Sequence, residues 1–394
     1  MIFDGHLELR ERNDLRWAGF ERKRKMLGKA CKGAGQIEME AFECLEHLMQ
    51  KDASLPFVEI VELGDTSDNA DQNKRTYSEI LPDGRFKIHI YVQEVARLQL
   101  YIDEIFGKPW SDEKIKLMCE QRGVNYHRYD QSIYELPQFQ FFSGCKSNLE
   151  EYVCRMALWF IILHEYAHVK NGHLRYKQRM DCEGTPISLK VSQALELHAD
   201  ITAASWLLDI IFDSEKFVGQ KQIVVQNNGK NPGVAYGDNV AFMAIAAYLS
   251  LRCYLKENCW DEWSVGIYRG NSNTHPMTEL RMSVVYNVLL QGVLTHFSGT
   301  AHQLGIANGM LQIVSGFEKF YFNNEGHEDE WTQRIQYIPT ELLRTEEGKQ
   351  YYHEVFEQVL KLNDLLDAYT DIPSVVEGAW CDYKTLPERM FWNQ

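Results

Sequence analysis

The residues with the clearest chemical potential are His164-Glu165-Tyr166-Ala167-His168, an H-E-x-x-H sequence. On a helix, positions i and i+4 stack on one face, so both imidazoles can reach one cation. Glu165 stands about 100° around the helix from His164, where its carboxylate can hold a water beside that cation and take its proton. This is the chemistry of zinc-assisted hydrolysis, in which three protein ligands leave a fourth position open.

A third ligand is therefore expected, and Gln193-Ala194-Leu195-Glu196-Leu197-His198-Ala199-Asp200 supplies it on a second helix. Glu196 completes a two-His, one-Glu set, and Asp200, four residues on, can accept the N–H of a ligating imidazole and set its tautomer. Without a metal, two acids four apart among Ala, Leu and Trp would repel each other; otherwise they form an exposed acidic face. Ala199 and Ala203 are small enough to let this helix approach the first. His198 is the weaker rival to Glu196, because an ideal helix turns it about 200° away. His173 follows Gly172 and reads as a surface histidine or as a support for a ligand, and Cys182 reads as a plain loop cysteine.

These residues need helices to hold them. Ser147-Asn148-Leu149-Glu150 has the form of a capping box, so a helix starts there. It runs through EYVCRMALWFIILHEYAHVKN to Gly172, which suits a C-terminal stop. Its middle is apolar on nearly every side, which predicts passage through the interior. Further helices are expected over 34–50, 93–106, 191–210 and 239–255, and from near Pro276. A later apolar stripe comprises Val355, Val359, Leu362 and Leu366.

The period changes to two at Phe57–Leu63 and Arg85–Val92, which predicts strands. Pro82-Asp83-Gly84 is turn chemistry, so Tyr77–Ile80 is the hairpin partner of the second strand. A small antiparallel sheet is the expected outcome, with Arg85–Val92 at a cleft edge, where an extended peptide could pair with it.

The 394 residues carry a formal charge of −15, 45% hydrophobic and 25% charged residues, which excludes disordered and low-complexity classes. The acidic balance argues against nucleic acid as a partner. One exception is Arg10–Lys32, with nine basic residues against three acids, which reads as a solvated face or arm. Nine cysteines, none in a C-x-x-C pair, read as reduced thiols. The charged N-terminus lacks an apolar signal core, and no apolar run reaches the roughly 18 residues of a membrane span. A soluble, cytoplasmic protein with no membrane partner is expected. Three regions are expected along the chain: a helix with a small sheet over 1–140, the metal-binding helices over 141–290, and a mostly helical region over 291–394.

HEYAH, then ELHAD, then Asn273-Thr274-His275-Pro276 with Arg281 shortly after, resemble the gluzincin metallopeptidases. Within that group they are most similar to the Lit-type phage-exclusion peptidases, and more distantly to the CAAX-type and heat-shock membrane peptidases. The resemblance spans about Glu150 to Tyr286. It implies an α+β fold with a mainly helical, zincin-like core, in which His164, His168 and Glu196 hold Zn2+ and Asp200 supports them. It further implies that His275 donates to the oxyanion as a peptide carbonyl becomes tetrahedral, and that Arg281 braces the site or meets substrate backbone. Read without the family, Thr274-His275-Pro276 is simply a helix start with Pro in its first turn.

The leading expectation is a zinc-dependent endopeptidase with Glu165 as general base. By resemblance it would cut a host protein in phage exclusion or abortive infection, with a translation factor as one target class. The alternative is a metal-binding regulatory or sensor protein without hydrolytic activity. Glu165 argues against that alternative, since a purely structural site needs no base and closes its fourth position.

Overall fold

The structure is a computed structural model that describes residues 36–51, 55–63, 75–92, scattered positions from 94 to 102, 148–212, 243–247, 249–251, 275–276, 278–296 and 346–370. The capping residue Ser147, the basic segment 10–32 and the acidic stretch 323–330 lie outside these. The principal elements among the described residues are α1 Gln36–Lys51, β1 Val58–Leu63, β2 Tyr77–Ile80, β3 Phe86–Tyr91, α2 Asn148–Lys170, α3 His173–Cys182, α4 Leu189–Phe212, α5 Thr278–His296 and α6 Glu346–Leu366. The described residues at 94–102 and 243–251 are helical as well, so the class is α+β and mostly helical.

Helix α2 runs through the core of the described residues. Every residue from Tyr152 to His164 is buried, as a helix without a polar face requires. Helix α4 is buried without interruption from Gln193 to Ser205 and packs on α2, α5 and α6. Ala199 and Ala203 are fully buried, and such small side chains permit close helix approach. Each fully buried Leu, Ile or Phe contributes about 1.5–3 kcal/mol of transfer free energy. Helix α6 shows the opposite pattern, one apolar stripe of Tyr352, Val355, Phe356, Val359, Leu362 and Leu366 that covers the core while Glu346, Glu357 and Lys361 are exposed.

The strands fall where the two-residue period puts them, and Leu81–Arg85 closes the β2–β3 hairpin with Gly84 at φ 81. Two expectations are corrected. The sheet is mixed, with order β1-β3-β2: β3 pairs antiparallel with β2 and parallel with β1. The β2–β3 hairpin places β3 between β1 and β2. Phe86, Ile88 and Ile90 alternate as buried residues, and Val58 and Ile60 lie in register beside Phe86 and Ile88. The strand Arg85–Val92 is therefore central and lacks a free edge; among the described residues β1 and β2 are the edge strands.

Gly172 is needed twice over. Its φ of 74 is strained for any residue with a Cβ, and a Cβ there would meet the Tyr369 carbonyl oxygen at 2.8 Å. The short turn it makes starts α3 at once, so Cys182 ends a helix, exposed, and does not sit in a loop. Cys44, Cys154 and Cys182 are free thiols. Among the described residues no helix is long and apolar enough to cross a membrane.

Candidate metal centre

The site forms where the buried faces of α2 and α4 meet. His164 Nε2, His168 Nε2 and Glu196 Oε2 make a triangle: 3.2 Å between the two nitrogens, 3.2 Å from His164 to the carboxylate oxygen and 3.5 Å from His168 to it. A tetrahedral zinc with bonds of about 2.0–2.2 Å holds its ligands roughly 3.3–3.6 Å apart. The three donors are buried and together form a group able to hold a metal ion. Two imidazole nitrogens and a carboxylate this close need shared protons or a cation between them, and a metal ion meets all three lone pairs at once. The residues present therefore fit zinc.

The two histidines have different backing. His164 Nδ1 faces Asp200 Oδ1 at 2.9 Å. Arg281 forks onto Asp200, Nε to Oδ2 at 2.6 Å and Nη2 to Oδ1 at 2.8 Å, which places a fully buried carboxylate between two cationic or ionisable groups. Burial by itself would raise the Asp200 carboxyl, but the Arg281 guanidinium holds it below its usual range. Burial would likewise lower His164, yet Asp200 and Glu196 lift it to about 9 before any metal competes for its lone pair.

On the other side, His168 Nδ1 lies 2.8 Å from His173 Nδ1, and His173 Nε2 lies 3.1 Å from His198 Nδ1. Burial pushes His173 well below the ordinary imidazole range, and the neighbouring His168 adds to that; His198 falls to about 3, burial again the main cause. His173 is thus a fully buried neighbour of a proposed ligand and not a surface residue. His198 points away from the triangle, as its helical phase predicts. Asn171 Nδ2 donates to Thr202 Oγ1, which donates to the His198 carbonyl, pinning α4 to the end of α2.

Glu196 Oε2 also faces His275 Nε2 at 3.3 Å, and its Oε1 lies 3.7 Å from Lys177 Nζ on α3. Burial would raise this carboxyl, but His168 and His164 hold it well below the usual range. His275 has 43% of its side chain exposed. Desolvation, helped by Arg281 and Arg75, outweighs the attraction of Glu196 and lowers it to about 4, so the ring is neutral at pH 7. Pro276 is buried just before α5 begins.

Glu165 is half-buried on α2, and its Oε2 accepts a hydrogen bond from Ser78 Oγ on β2 at 2.8 Å. Ser78 was not among the residues singled out from sequence. It lies opposite the fully buried Ile88, and a polar residue in the inward phase of a strand is the signal that could have found it. Lys177 carried no such signal. The tertiary structure thus gathers His164, His168, Glu196, Asp200, His275 and Arg281 into one cluster with Glu165 alongside, and leaves Cys182 outside the metal-binding group.

No curated protein and no solved structure matches the chain. Residues 145–289 match the Peptidase U49 family model, a span that contains the triangle, Glu165, His275 and Arg281, and the match supports a peptidase function with a protein or peptide as substrate.

Proposed function

We propose that this protein is a zinc-dependent endopeptidase of gluzincin type, with His164, His168 and Glu196 as the metal ligands. The observation that carries the reading is the triangle of three buried donors at tetrahedral spacing with Glu165 on the same helix. A zinc ion held there would supply Lewis acidity, activating a water and polarising the scissile carbonyl.

The chain's own residues do the rest. Glu165 takes the proton of the attacking water and returns it to the leaving amine. Ser78 donates to one Glu165 oxygen and so leaves the other to work as the base. His275, neutral and half-exposed at the rim, offers an N–H to the oxygen that gains charge as the carbonyl becomes tetrahedral. Arg281 keeps Asp200 ionised, and Asp200 keeps the His164 proton on Nδ1, so that Nε2 faces the metal. Strand β2 pairs only with β3 among the described residues and lies beside Glu165, so its outer edge suits an extended peptide added as a further strand.

The resemblance of the three motifs to Lit-type peptidases extends the reading to cleavage of a cytoplasmic host protein during phage infection, with a translation factor as one substrate class. The test is Glu165→Gln in the full chain. The variant should keep about one zinc per chain and lose cleavage by about 10²–10⁴-fold. Mapping new protein termini in cells that express wild type or Glu165→Gln then names the substrate. Full biological effect from Glu165→Gln, or wild type without zinc, overturns the reading.

A further inference from the structure

We propose that His173, backed by His198, is the positioning residue that makes His168 an Nε2 ligand, a task done for His164 by a carboxylate. The inference rests on the zinc-site reading above and adds residues that the H-E-x-x-H and Glu196 pattern does not include.

The argument is one of proton counting. A neutral imidazole has one N–H and one lone pair, so each hydrogen bond it makes decides what its other nitrogen can do. His168 Nδ1 and His173 Nδ1 are 2.8 Å apart, and one of them carries the proton. If His173 donated, the His168 proton would sit on Nε2 and point at His164 Nε2 and Glu196 Oε2, where a metal ligand needs a lone pair. If His168 donates, its Nε2 is free to ligate, and His173 accepts through Nδ1. His173 then carries its own proton on Nε2 and donates to His198 Nδ1 at 3.1 Å. The string therefore has two directions, and metal binding selects the one in which every proton points away from the triangle.

Burial makes the string specific. His173 is 0% and His198 1% exposed, so water cannot readily replace either ring as the acceptor. The ring planes of His168 and His173 meet at 73° with centroids 4.9 Å apart, an edge-on approach that suits an in-plane N–H···N bond. His173 starts α3 directly after Gly172, whose φ of 74 turns the chain within one residue. That turn delivers the ring to the far side of His168.

Zinc affinity of the full-length protein, read by competition with a chromophoric chelator, tests the proposal. Loss of an outer hydrogen-bond partner of a ligand weakens binding by about 10–100-fold, and His173→Leu should fall in that range. In His173→Asn the side-chain oxygen takes the place of Nδ1 and should restore affinity to near wild type. In His173→Gln the amide reaches the Nε2 position and should not. The cobalt-substituted protein should show a shifted visible spectrum for Leu and Gln, and a wild-type one for Asn. If His173→Leu fails to fold, the Asn-to-Gln contrast still decides. Wild-type affinity in a folded His173→Leu, or equal affinity in the Asn and Gln variants, overturns the proposal. Wild type that binds no zinc sinks the underlying reading instead, so the two failures are distinguishable.

Discussion

The two histidines of α2 sit one turn apart in the same helix, yet their surroundings differ in kind. His164 is backed by a charged chain, Asp200 and then Arg281, while His168 is backed by a neutral one, His173 and then His198. Both backings are buried. A buried carboxylate demands a buried cation, so the His164 side commits the fold to an ion pair that costs desolvation and must be kept whole. A buried imidazole string has no such demand, because each ring stays neutral and hands on one proton. The charged side should therefore couple metal affinity to stability, and the neutral side should affect affinity with a smaller stability cost.

The largest effect should come from breaking the charged side. Asp200→Ala leaves the Arg281 guanidinium buried without its carboxylate and should cost about 3–5 kcal/mol in urea unfolding. Asp200→Ala with Arg281→Leu should recover most of that stability and none of the zinc affinity, since His164 Nδ1 still lacks its partner. A single variant as stable as wild type, or a double variant with restored affinity, would erase the distinction between the two sides.

A third buried carboxylate sharpens it. Glu94 is 1% exposed and its Oε2 accepts from the Thr76 backbone N–H. Burial raises its carboxyl to about 7, with the nearby Glu165 adding to the rise and Arg75 opposing it. The folded protein thus holds this proton up to about pH 7, whereas the unfolded chain releases it near 4.5. Stability falls as pH rises through that window. Glu94→Gln removes the dependence, so its stability relative to wild type should grow by about 1–3 kcal/mol between pH 4.5 and 8. Parallel pH profiles for the two proteins would show that Glu94 has found adequate solvation. The smallest effect is expected at the base itself: Ser78→Ala should lower kcat/KM by about tenfold with zinc content unchanged. An unaltered rate would mean that α2 alone orients Glu165.

How much of this could be read from the chain depended on whether the interaction is local. The helix through H-E-x-x-H, its stop at Gly172, the second helix with Glu196 and Asp200, and the C-terminal stripe all follow from spacings within a few residues, and the described elements sit at those places. Strand positions were legible for the same reason. Strand order was not, because antiparallel and parallel partners present the same alternation to the core; only the packing of Val58 and Ile60 beside Phe86 and Ile88 places β3 in the middle.

The site divides in the same way. Its chemistry, two imidazoles and carboxylates at helical intervals, was determined by the sequence alone, since a 3.6-residue turn converts i and i+4 into neighbours without any tertiary information. The partners of those groups were decided by the fold. Ser78 reaches Glu165 across 87 residues and Arg281 reaches Asp200 across 81. His173 is only five residues from His168 but meets it through the left-handed turn at Gly172. Hydrogen bonds and ion pairs depend on distances of a few tenths of an ångström, and no periodicity encodes these between separate elements; packing of α2, α4 and the sheet edge sets them.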